Sequence, residues 1–164
     1  MSTTPATNLD FSVIVTNKNH IDFFQAFARA LGLSVELLGE AAFKEIHTWK
    51  KDALHAFFSK KGTLLCIPSG EYNIAAASRD SQVAFLDISK NASTFNLEYA
   101  ENGSMQRMYT NFNGIVRRNI KAPLQWENAN KTYLEVVSDA ILALTGQTLD
   151  AYQKQTATRY RIIK

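Results

Sequence analysis

Few side chains in this sequence could do chemistry. The soft ligands and nucleophiles reduce to one cysteine, Cys66, and three histidines, His20, His47 and His55. His47 and His55 fall eight positions apart on a segment that reads as helical. That spacing places them roughly 80° apart around the axis and about 12 Å along it, too far for one zinc ion. No H-E-x-x-H, C-x-x-C or EF-hand pattern occurs. Cys66 stands in the apolar run Thr63-Leu64-Leu65-Cys66-Ile67, where a buried, inert thiol is the default. A pairing of Cys66 with His55 stays open, because spatial neighbours are invisible at this level. No G-x-S-x-G elbow and no glycine-rich phosphate loop is present. No metal and no cofactor are expected, and a binding protein is favoured over an enzyme.

The acid–base candidates are Asp87 and Glu98, on neighbouring strands of a predicted sheet. Asp87 is expected to hydrogen-bond the turn that follows it, as aspartate commonly does. The segment 109–121 mixes Tyr109 and Phe112 with amides and with Arg117, Arg118 and Lys121. Single-strand binders combine aromatics and cations in this way. The segment does not match the RNP1 pattern, and a net charge of +3 is mild, so nucleic acid is a disfavoured partner. What remains is a recognition surface. Asn96, Glu98, Gln106 and Arg118 should lie on the wet face of the sheet, with Tyr72 and Tyr109 near it and Arg117 beside them. Tyrosine and arginine carry much of the energy at protein interfaces.

The elements that would hold these residues follow from turn chemistry and periodicity. Arg79-Asp80, Lys90-Asn91, Asn102-Gly103 and Asn113-Gly114 recur at spacings of 11, 12 and 11 residues. Asn-Gly favours a type I′ turn, in which both central residues need φ > 0. Between the turns apolar and polar residues alternate, as at Phe95-Asn96-Leu97-Glu98-Tyr99. The pattern predicts a five-stranded antiparallel meander over about 71–120.

Apolar stripes predict three helices. One starts near His20 behind an Asn19 cap and stops at Gly32, one spans 40–60, and one carries Tyr133, Leu134, Val137, Ala140, Ile141 and Leu144 and stops at Gly146. A further helical turn is expected at Leu149–Gln153. Residues 63–67 read as a central strand and Thr156–Ile163 as a terminal edge strand, protected by Arg159, Arg161 and Lys164.

The expected fold class is α+β. A disordered tail at 1–8 precedes a single domain at 9–164. Its helices pack on one face of the meander, lined by Phe27, Leu31, Phe57, Phe85, Leu97, Val137 and Ile141. Composition agrees, at 46% hydrophobic and 20% charged. One cysteine allows no intrachain disulfide. The first residues lack a signal-peptide pattern and no apolar run approaches 18 residues, so a cytoplasmic protein that does not enter membranes is expected.

These readings favour a non-catalytic module that binds a partner protein, of adaptor, chaperone-like or immunity-like kind. The alternatives are a small-molecule or enzymatic domain with a pocket between helices and sheet, or a single-stranded nucleic-acid binder. Homo-oligomerisation stays open.

Overall fold

The β-branched run Phe-Ser-Val-Ile-Val-Thr forms β1 (Phe11–Thr16), buried on both sides and placed at the centre of the sheet. It pairs antiparallel with β4 (Gly62–Cys66) on one side and with β5 (Gln82–Ser89) on the other. In this computed structural model, which describes residues 11–43, 52–89 and 93–163, nine strands make one antiparallel sheet. The remaining strands are β2 (Ser34–Ala42), β3 (Ala53–Ser59), β6 (Thr94–Glu101), β7 (Ser104–Phe112), β8 (Ile115–Ile120) and β9 (Thr156–Ile163). Their spatial order is β2-β9-β3-β4-β1-β5-β6-β7-β8.

The five-stranded meander is therefore corrected to part of a larger sheet. Its run of sequential hairpins is β5 to β8. The segment 71–80, expected as a strand, carries the short helix α2 (Ile74–Ala77), capped by the Asn73 side chain. Arg79-Asp80 turns the chain from that helix into β5. Asn102-Gly103 and Asn113-Gly114 do close hairpins, with φ of 52° and 85° at the first and 51° and 88° at the second. Lys90-Asn91 and the tail at 1–8 lie outside the described residues.

The helix expected over 40–60 is absent from its described parts. Residues 40–42 end β2, and 53–59 are β3. His47 and Trp49 lie outside the described residues. β3 joins β4 through a tight turn and lies against β9, so both of its faces are buried. A strand buried on both faces has a continuous apolar run, and Ala-Leu-His-Ala-Phe-Phe fits a helix face equally well. β9 is corrected too. It sits between β2 and β3, inside the sheet, and the edges are β2 and β8.

Helices cover both faces, not one. On the front face, α1 (Phe24–Ala30) and α2 bury Phe24, Phe27 and Leu31 against Ile14, Leu54, Leu65 and Phe85. On the back face, α3 (Tyr133–Thr145) and α4 (Leu149–Gln153) bury Val137, Ile141 and Tyr152 against Val13, Phe57, Leu64 and Leu97. All seven residues expected to line a single core are buried, but the pleat divides them between two. Thr132 caps α3 in a reciprocal capping box with Glu135, and Gly146 ends it at φ 74°.

α1 begins later than the sequence suggests. Asn19 Oδ1 accepts from the Ile21 amide, and Phe23, at φ 62°, opens the helix one turn further on. His20 in this entry loop stacks on Phe27 with ring centroids 4.0 Å apart, and its Nε2 is buried without a hydrogen-bond partner. Burial, with Lys18 nearby, pushes its pKa down to about 4. The unfolded chain thus takes up a proton below pH 6.5 that the folded chain refuses down to about 4. The contribution to stability is present above pH 6.5 and is lost as pH falls toward 4. Because the ring is only partly buried, solvent screening limits it to about 1 kcal/mol. His20→Phe keeps the stack and removes the titration. Urea midpoints should fall more from pH 7 to pH 4.5 in the wild type than in His20→Phe, and equal falls would contradict this assignment.

Candidate binding surface and cavity

Beyond the front helices the sheet continues as a three-stranded wing, β6-β7-β8. Register places Asn96 opposite Thr110 and Thr110 opposite Arg118, while Glu98 faces Met108. Alternation sends these side chains to the front face, where α2 reaches only the far end, near Ala100 and Met105. Arg118 draws the group together. Its Nη2 donates to Asn96 Oδ1 at 3.0 Å and to Glu98 Oε2 at 3.3 Å, and its Nε donates to Thr110 Oγ1 at 3.1 Å. Thr110 in turn donates to Asn96 Oδ1 at 2.7 Å. The half-buried cluster is thus held by its own hydrogen bonds.

Three of the seven predicted site residues, Asn96, Glu98 and Arg118, are therefore brought together. The other four are placed elsewhere. Gln106 is the extra residue of a β-bulge in β7 and donates locally to the Ser104 carbonyl. Arg117 is the extra residue of a second bulge, in β8, and is exposed. Tyr72 belongs to the loop before α2. Its hydroxyl donates to the Pro68 carbonyl at 2.6 Å and its ring meets Phe85 edge-on. Burial, then the nearby Asp87 carboxylate, pushes the Tyr72 phenol up to about 12. Tyr109 lies on the opposite, back face of the wing.

Asp87 has partners beyond the turn it is expected to bond, whose residues 90–92 lie outside the described residues. Its carboxylate accepts from the hydroxyls of Ser12 and Ser69, so it ties β5 to β1 and to the loop after β4. His55 and Cys66 are direct cross-strand neighbours, yet Cys66 is fully buried and burial pushes its thiol up, away from the reactive thiolate. His55 Nε2 accepts from Arg159 Nε at 3.0 Å. Among the described residues no three of His, Cys, Asp and Glu cluster as metal ligands.

Behind the wing lies an open cavity of about 390 Å³, between β6 to β8, the β8–α3 connection and the start of α3. Phe95, Tyr109, Tyr133 and Val136 form its apolar lining. Phe95 stacks on Tyr133 at 4.2 Å. The Tyr133 phenol is pushed up to about 12, mainly by burial and then by the neighbouring Tyr109 hydroxyl. The wall opposite the sheet is pinned by Arg107, which is 2% exposed. Its Nε and Nη2 grip both oxygens of Glu127 at 2.8 Å. Its Nη1 donates to Asn119 Oδ1 and to the carbonyls of Ile120 and Lys121. Glu127 also accepts from the Leu124 amide at 2.7 Å, so one ion pair fixes the connection to the sheet.

Sequence reasoning passed over Arg107, Glu127 and Asn119. The signal for Arg107 was its position, in phase with Tyr109 on the inward face of β7. An inward arginine demands a carboxylate, but nothing local says which one.

Compared with known protein families, curated proteins and solved structures, the chain matches none. Among the described residues, no helix is long and apolar enough to cross a membrane.

Proposed function

We propose that this chain is a non-catalytic binding module that takes an extended segment of a partner protein along the β8 edge of the wing. The observation that carries the reading is the character of that edge. Among the described residues β8 pairs only with β7, so its other side offers backbone groups to an incoming strand. Ile115, Val116 and Ile120 are exposed along it, at 57%, 50% and 46%. Arg117 and Lys121 supply the charge, Arg118 being paired with Glu98 on the front face, and no acidic residue occurs from 115 to 121. Such an edge suits a segment that mixes apolar and acidic residues. The same cations oppose pairing with a second copy of β8. The Arg118 cluster keeps the front face of the wing rigid, which limits the ordering cost of binding.

The test begins with capture by the tagged protein and continues with the purified partner. Val116→Asp places a like charge against an acidic segment and should weaken the reconstituted complex by about tenfold or more, or about 1.4 kcal/mol. Leu37→Asp, on the opposite β2 edge, should leave it intact. A complex indifferent to Val116→Asp, or broken by Leu37→Asp, would overturn the reading. So would a chain whose β8 edge pairs only with itself.

A further inference from the structure

We infer that the cavity behind the wing binds a small neutral molecule with a flat aromatic body and hydrogen-bond-acceptor atoms. The volume of about 390 Å³ falls in the range of small-ligand sites, which are concave and mostly apolar with a few placed polar groups. Phe95, Tyr109, Tyr133 and Val136 supply the apolar part, and an aromatic body suits such a lining.

The polar groups set the rest of the ligand's chemistry. Asn119 Oδ1 is committed to Arg107 Nη1 at 2.6 Å, and Asn128 Oδ1 to the Asn130 amide at 2.8 Å. Those bonds fix which end of each amide accepts, and both residues line the cavity with Nδ2 groups that donate to no other described residue. A ligand is therefore asked for acceptors. Charge is not asked for. Arg107 is matched by Glu127, and the Glu127 carboxylate lines the same cavity, so an anion gains no free cation there. A ligand cation would find no unpaired carboxylate. The adjoining hollow contains Lys131, which is paired with Asp139.

Benzamide carries an aromatic ring and a neutral carbonyl acceptor, and it serves as the probe. Benzoate and benzylamine share the ring and add opposite charges. Titration into isotope-labelled full chain, followed by NMR, should shift the resonances of Tyr109, Tyr133, Val136 and the Asn119 and Asn128 side-chain amides. A low-millimolar dissociation constant is expected for a ligand of that size. Benzoate and benzylamine should each bind about tenfold more weakly or not at all.

Two variants test the site, each first checked by its amide NMR spectrum and urea midpoint to keep the wild-type fold, because Asn119 also bonds the buried Arg107. Asn119→Asp with Asn128→Asp keeps both accepting oxygens and removes both donors, and should weaken benzamide by about tenfold. Ala129→Trp sets an indole at the exposed mouth and should abolish binding. The inference fails if benzamide shifts nothing at the cavity, if benzoate binds as well, or if the double variant binds unchanged. None of these outcomes bears on the β8 edge, so the two readings stand or fall separately.

Discussion

Glu127→Gln should destabilise the fold by about 3–5 kcal/mol, the largest effect expected of a single polar substitution in this chain. The reason is what it leaves behind. Arg107 is almost wholly buried and meets Glu127 with two parallel hydrogen bonds. An amide returns only one acceptor and aims an NH₂ group at the guanidinium, so a buried cation loses its counter-charge. The Leu124 amide competes for the one remaining oxygen. Urea unfolding of wild type and variant measures the loss, which should persist in high salt because a buried pair is poorly screened. Arg107→Leu combined with Glu127→Leu should be less destabilised than Glu127→Gln alone, since no unpaired charge remains. A Glu127→Gln loss below about 1 kcal/mol would show the pair to be worth no more than a surface ion pair.

Gly62→Ala should cost about 1–3 kcal/mol, large for the addition of one methyl group. Gly62 opens β4 where the β3–β4 turn passes beneath the end of α3. A Cβ there would lie 2.5 Å from Thr145 Cγ2, 2.6 Å from Thr145 Cβ and 2.9 Å from the Thr16 carbonyl oxygen. None of these is the loose end of a long side chain. Thr145 is held by its hydroxyl bond to the Ile141 carbonyl at 2.7 Å, and Thr16 lies in the central strand. Thr145→Ser keeps that bond and removes Cγ2, so it should recover only part of the loss. Full recovery in the double variant, read from denaturation midpoints, would contradict the geometry, because Thr145 Cβ and the Thr16 oxygen still obstruct.

The mixed outcome of the sequence reading has a consistent physical cause. Asn102-Gly103 and Asn113-Gly114 were legible because their φ requirement belongs to two residues and needs no tertiary partner. The α3 stripe and its stop at Gly146 were legible because one buried face over thirteen residues leaves a clean 3.6-residue period. β3 was misread for the opposite reason. Burial on both faces erased the alternation that marks a strand, and Leu54 and Phe57 then imitated a helix face. At the site, Asn96, Glu98 and Arg118 were readable from alternation within the wing. Arg107 and Glu127 were not, because their partnership joins a strand to a connection 20 residues away and leaves no local pattern.

By itself the sequence determined the α+β class, the β5–β8 hairpin run, the α3 helix with its stop, the terminal strand and the burial of Cys66, all properties of turn geometry and local periodicity. Only the tertiary structure decided that the terminal strand lies inside the sheet, that helices cover both faces, and that the wing carries a polar cluster in front and a cavity behind. Those outcomes depend on strand order and on which face each pleat presents. Backbone pairing is generic, so the order of strands is settled by how buried side chains pack across the whole sheet.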